Sequence, residues 1–238
     1  MSMEEIHKNA RAIRERIAAA AAKAGRQTDE IRLIAVSKTH PSEAIREAFD
    51  AGVQHFGENR VQEWEGKRGG VEGLPGYWHL IGHLQSNKAA RAAKVFHSVD
   101  SVDDFSLAQR LDRARAEIQG QIPMAGKLRV LIEVRVADEL TKSGVEKEQL
   151  PELAEKLCGL SQLELEGLMC IPPFLEDTEQ VRPYFAQLRE LKEQLETRLN
   201  RKLHVLSMGM SHDFEVAIEE GATEVRVGTA LFGVREKP

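Results

Sequence analysis

Residues 31–52 read IRLIAVSKTHPSEAIREAFDAG. The first part, Ile31-Arg32-Leu33-Ile34-Ala35-Val36-Ser37-Lys38, is a nearly continuous β-prone run, the pattern of a parallel strand buried on both faces. Pro41-Ser42 then opens a helix, since proline in a first turn lacks only a donor that the helix leaves unused, and Gly52 closes it. Strand, short connection and glycine-ended helix make one βα unit.

The unit recurs. Strand candidates follow at residues 53–56, 77–81, 95–99, 128–136, 163–169, 203–206 and 224–227, which with the first make eight. Helical periodicity fills most of the gaps, at 86–93, 102–116, 149–158, 179–199 and 213–220. Eight alternations predict the α/β class, built as a single (β/α)8 TIM barrel with one domain over residues 1–238. An extra N-terminal helix precedes it over residues 3–24, where Ile6, Ala10, Ile13, Ile17 and Ala20 form one apolar stripe and Gly25 follows. A doubly wound open sheet shares the alternation, but it does not call for eight strands, and no G-x-G-x-x-G follows the first one. Gly66, Gly69, Gly70, Gly73 and Gly76 crowd one connection, which reads as a surface loop.

Composition narrows the class. With 42% hydrophobic and 30% charged residues the chain is neither disordered nor a disulfide scaffold. Lys and Arg total 33 against 38 Asp and Glu, a net charge of −5 that disfavours a general nucleic-acid binder. Cys158 and Cys170 lie outside any C-x-x-C spacing and read as reduced thiols. The acidic start, Met1-Ser2-Met3-Glu4-Glu5, is unlike a leader, and no stretch is apolar enough to span a membrane. The expectation is a cytoplasmic protein with no membrane and no nucleic-acid partner.

Barrel chemistry gathers at the C-terminal ends of strands. Lys38 ends the first strand on the same face as Ile34 and Val36. An amine over an apolar floor is a candidate nucleophile for aldehydes, because desolvation disfavours its charged form. The alternative is a lysine that caps the strand and reaches to water. After the seventh strand, Ser207-Met208-Gly209-Met210-Ser211-His212-Asp213 makes a glycine-containing turn with Ser211 placed to cap the next helix. After the eighth, Arg226-Val227-Gly228-Thr229-Ala230 repeats the arrangement. Turns at these two positions are where barrels hold phosphate groups. An aldehyde-reactive lysine beside a phosphate site describes pyridoxal 5′-phosphate. Arg226 would face its ring nitrogen, or form a salt bridge at the mouth. His79 and His83 have a four-residue spacing that suits a metal only on a helix, and residues 77–81 read as strand, so no metal site is expected. Glu58 could serve as an acid, as could Asp213, which also suits the first turn of its helix. His40 and Lys142 read as solvated mouth residues.

At these residues the chain resembles the pyridoxal phosphate homeostasis protein family, relatives of the barrel domain of alanine racemase. The resemblance rests on Ala35-Val36-Ser37-Lys38-Thr39, Phe56-Gly57-Glu58-Asn59, Trp78-His79-Leu80-Ile81-Gly82, Leu84-Gln85-Ser86-Asn87-Lys88, Lys142-Ser143-Gly144, Gly167-Leu168-Met169, Ser207-Met208-Gly209-Met210-Ser211, Arg226-Val227-Gly228-Thr229 and Phe232-Gly233. It implies that Lys38 carries the cofactor as an internal aldimine, that the turns with Ser211 and with Gly228 and Thr229 hold its phosphate, and that Ser207 is among the cofactor-binding residues. It further implies Arg226 at the ring nitrogen, with Asn59 and His79 lining the pocket, while from the residues alone His79 reads equally as a satisfied core histidine. Arg60 and Arg135 depart from the family pattern, where Tyr and Asn are common. Family members look like monomeric carriers or regulators of the vitamin B6 pool without clear turnover, with PLP-dependent apoenzymes as conceivable recipients.

An amino-acid racemase is the alternative, with a cofactor-free Schiff-base aldolase behind it. A racemase needs two bases on opposite faces of the substrate carbon. The chain offers only Tyr77 and Tyr184 as tyrosines, and its end at Pro238 leaves no room for the β domain such racemases add, so a non-catalytic role is expected.

Overall fold

A computed structural model describes residues 3–118, 126–137 and 143–233. Thr141 and Lys142 lie outside the described residues. Eight parallel strands close into a barrel in sequential order: β1 (Arg32–Val36), β2 (His55–Glu58), β3 (Tyr77–Leu80), β4 (Ser98–Val102), β5 (Leu128–Glu133), β6 (Leu163–Met169), β7 (Val205–Met210) and β8 (Glu224–Val227). The pairing of Arg32 with Glu224 and of Ile34 with Arg226 shuts the seam between β1 and β8.

Helices α1 (Met3–Lys23), α2 (Ser42–Asp50), α3 (Val61–Lys67), α4 (Ala89–Val95), α5 (Phe105–Glu117), α6 (Leu150–Cys158), α7 (Arg182–Leu199), α8 (Phe214–Glu219) and α9 (Thr229–Phe232) surround it. The main apolar core lies between helices and the outer face of the sheet, where Phe56, Phe96, Phe185 and Phe214 are fully buried. Ile6, Ala10, Ile13 and Ile17 of α1 are buried in that core, so the extra helix is part of the packed body, resting on α2, α8 and α9. No described helix is long and apolar enough to cross a membrane.

Several boundaries differ from the sequence reading. The fourth strand is displaced from 95–99 to Ser98–Val102, because Val95 ends α4 and the strand carries Ser98 and Asp100, buried polar residues that break the apolar-run rule. β7 extends to Met210 through Gly209, whose φ is +90° and where a Cβ would lie 2.6 Å from the Ala217 Cβ. The glycine-crowded connection begins with a helix the sequence reading missed, α3, which buries Trp64. Ser211 does not cap α8. Asp213 holds the N-cap position, and its carboxylate accepts from Met210 N–H at 2.6 Å.

The barrel interior is layered. Arg129 on β5 pairs with Glu166 on β6, stands over the Tyr77 ring of β3 at 5.2 Å and lies 3.9 Å from Glu224 of β8. Contacts that skip strands in this way run through the interior. Ile34, Ile81, Leu131, Met169 and Val205 are buried apart from the main core, with Gly57 making room beside Ile34 and Ile81: a Cβ there would lie 2.9 Å from Ile81 and 3.1 Å from Ile34.

Candidate functional site

The C-terminal mouth of the barrel opens into a cavity of about 700 Å3, the size of an ordinary small-molecule site. Val36, Ile81, Ile171 and Phe174 give it apolar surface, and Lys38, Asn59, Glu133, Ser211, Arg226, Gly228 and Thr229 supply its polar groups. Six of the sequence-predicted residues thus converge on one cavity: Lys38 and Asn59 just past β1 and β2, Ser211 after β7, and Arg226, Gly228 and Thr229 at the end of β8.

Arg226 is buried, and its guanidinium is fixed from behind. Nη1 donates to Ser207 Oγ at 2.9 Å and Nη2 to the Cys170 carbonyl at 2.8 Å. Ser207 is therefore outside the cavity lining and acts on it through Arg226. Cys170 is not a nucleophile candidate, since burial pushes its thiol up to about 12. The two hydroxyl turns are joined, as Ala230 N–H at the start of α9 donates to Ser211 Oγ at 3.3 Å. This bond links the connections after β7 and β8 into one wall.

His79 is not on that wall. It lies fully buried inside the barrel, with Nδ1 3.0 Å from Asp100 Oδ2 and Nε2 3.1 Å from His55 Nδ1. The alternation of β3 explains this placement: His79 and Ile81 share the inward face, but only Ile81 reaches the cavity. Burial drives the neighbouring His55 down to about 3, with His79 adding to the effect, so His55 is neutral near pH 7. Burial would raise Asp100, yet His79 and Ser98 hold its carboxylate below the usual range.

His79, Asp100 and Glu224 place ligand atoms within 4.8 Å of one another. Glu224 is already ion-paired to Arg32, with Arg129 nearby, so guanidinium groups supply the positive charge there. His83, exposed at the rim, pairs with Asp103 at 3.4 Å.

Glu133 escaped the sequence reading. It ends β5, lines the cavity at 3% exposure, accepts from Ser143 Oγ at 3.0 Å through Oε1, and has no partner for Oε2 among the described residues. Burial pushes its carboxyl up, against the lowering effect of the Ser143 bond. The alternation Arg129, Leu131, Glu133 places it inward, a signal present in the sequence but indistinguishable there from a solvated strand end. Arg135 instead turns to Glu146 and does not line the cavity.

The family model for the alanine racemase N-terminal domain matches residues 8–236. A pyridoxal phosphate homeostasis protein of Aquifex aeolicus is 48% identical over 222 residues, covering 93% of this chain and 95% of that protein. The structure of PipY from Synechococcus elongatus with PLP bound is 41% identical, with a TM-score of 0.80 over 93% of this chain and all of that one. Alanine racemase of Corynebacterium glutamicum shares the fold, with a TM-score of 0.70 at 17% identity, and this chain covers 62% of its length.

Proposed function

The chain belongs to the pyridoxal phosphate homeostasis proteins, built on the alanine racemase N-terminal domain fold, and from that premise we propose that it binds pyridoxal 5′-phosphate at the barrel mouth through Lys38 and carries or regulates the cofactor without turning over a substrate. The observation that carries this reading is the convergence of a half-buried amine, a buried guanidinium and two joined hydroxyl turns on one cavity. When bound, the cofactor supplies an aldehyde for a Schiff base with an amine, a phosphate ester and a pyridine nitrogen.

The residues fit these three groups. Lys38 leaves β1 beside the β8 turn, so an aldehyde at its amine leaves a phosphate within reach of Ser211, Gly228 and Thr229. Arg226 has N–H donors and no acceptor and is pinned by Ser207 and Cys170, so it can only donate to a ring nitrogen. A nitrogen that accepts stays unprotonated, and the ring then draws electrons weakly, which suits holding over turnover. Asn59 adds an amide on the β2 side of the cavity. A racemase would need a second base, and neither tyrosine lines the cavity: Tyr77 is inside the barrel near the His97 carbonyl at 3.5 Å, and Tyr184 lies on α7.

The finer reading is a cytoplasmic monomer that releases cofactor to PLP-dependent apoenzymes. Ile171 and Phe174 support it, being the exposed large apolar side chains among the described residues and both at the cavity rim, where a recipient would meet them.

The test is spectroscopic. Purified protein given pyridoxal phosphate should turn yellow, and borohydride should fix the added mass on the peptide containing Lys38. Lys38→Ala should lose the chromophore and the adduct while keeping weak phosphate-dependent binding. An adduct on another lysine, or an unchanged spectrum in that variant, would reject the assignment. Loss of optical rotation from an L-amino acid would favour the racemase.

A further inference from the structure

Thr39 has φ +67°, in the left-handed region that a β-branched residue rarely enters. It directly follows Lys38, so the backbone that leaves Lys38 passes at once through a conformation a β-branched residue disfavours. Three side chains from β2 and α3 surround this turn. The Glu63 carboxylate accepts from Thr39 N–H. Lys67 Nζ donates to the Ser37 carbonyl at 2.8 Å and the His40 carbonyl at 3.2 Å, on either side of the strained residue. The same ammonium lies 2.8 Å from Glu58 Oε1 and 3.0 Å from Glu63 Oε1. Glu58, fully buried, also accepts from Ser37 Oγ at 2.6 Å.

The Thr39 N–H and the Ser37 and His40 carbonyls are therefore bound to one charged cluster, and Lys67 is the cation that joins its two carboxylates. Its side chain is 10% exposed, deep for an ammonium that serves only solubility. A buried Glu58 and Lys67 could be replaced by apolar packing at little cost to the fold, so the arrangement is better explained by what it holds.

We propose that Glu58, Glu63 and Lys67 are positioning residues that hold Thr39 in its left-handed conformation and thereby aim the Lys38 amine into the cavity. The proposal rests on the reading of Lys38 as the attachment site. Glu63 fixes the strained peptide directly, and Lys67 clamps the carbonyls on both sides of it. Reorientation of one peptide would swing Lys38 off the line to an aldehyde held by the phosphate turns, and covalent capture depends steeply on such alignment.

The experiment measures the rate of borohydride-trappable adduct formation at Lys38, alongside the dissociation constant for inorganic phosphate and the melting temperature. Glu63→Ala should slow trapping about tenfold, with phosphate affinity and melting temperature near wild type. Glu63→Gln keeps an acceptor for Thr39 N–H and should retain most of the rate. In a Thr39→Gly background, where the left-handed turn costs no side-chain strain, Glu63→Ala should lose much of its effect, a coupling read by the double-mutant cycle. Lys67→Met should behave as Glu63→Ala does if it folds, and the Glu63 series decides the matter if it does not. Wild-type trapping by Glu63→Ala, or equal losses in both Thr39 backgrounds, overturns the proposal. If wild-type protein itself traps no cofactor on Lys38, the attachment reading fails, which is a separate outcome.

Discussion

Glu133 carries a consequence for the pH dependence of stability. Its folded-state proton is held to higher pH than in the unfolded chain, because burial opposes the carboxylate. The native state then binds more protons than the unfolded one above the ordinary value of 4.5, so stability due to this residue falls as pH rises from there through its folded-state value. Glu133→Gln keeps the shape without the charge. It should melt higher than wild type near pH 7, with the advantage shrinking toward about pH 4, when cofactor-free proteins are compared by thermal melts. Parallel pH profiles would show that Glu133 ionises freely. Arg226 and Ser207 offer the complementary lesson about residues: both could be read from motifs, yet only the hydrogen bond between them tells which one faces the cavity and which stands behind it.

Among the elements, α1 has the clearest mechanical role. Its stripe packs on α8 and α9, and Asn9 Nδ2 donates to the Leu231 carbonyl at 3.1 Å, so the helix added ahead of the barrel steadies the short α9 that begins with Thr229. Ile13, 2% exposed, sits in the middle of that stripe. Ile13→Ala removes buried methyl groups and leaves a cavity, and should cost about 3 kcal/mol in denaturant unfolding. A cost below about 1 kcal/mol would mean that the helix is loosely docked. α1 was legible because its apolar period is regular and glycine follows it. α3 was not, because it spans only seven residues and runs into a glycine cluster that signals loop, although the same segment provides Glu63 and Lys67. Its helical state comes from burying Trp64 against Trp78, with ring centroids 4.2 Å apart, and the Trp64 indole donating to the Val95 carbonyl at 3.1 Å.

At the scale of the molecule, the charged layer inside the barrel ties strands that are not neighbours. Burial would weaken the charge on Arg129, but Glu166 and Tyr77 hold it more firmly than usual. Arg129→Met strips the cation from Glu166 and from the buried Glu224, and should cost on the order of 2 to 4 kcal/mol. A melting temperature equal to wild type would show that water screens the layer. Eight strands with helices between most of them, the inward face of β1 and the two hydroxyl turns were determined by the sequence alone, because strand alternation, helical period and turn chemistry are local properties. Tertiary structure decided that His79 lies within the barrel rather than on the cavity, that Ser211 binds α9 instead of capping α8, and that Glu133 closes the far wall. It also brought Glu58, Glu63 and Lys67 around Thr39. Depth along the barrel axis and contact across strands depend on how the sheet closes, and closure joins residues that no spacing along the chain relates.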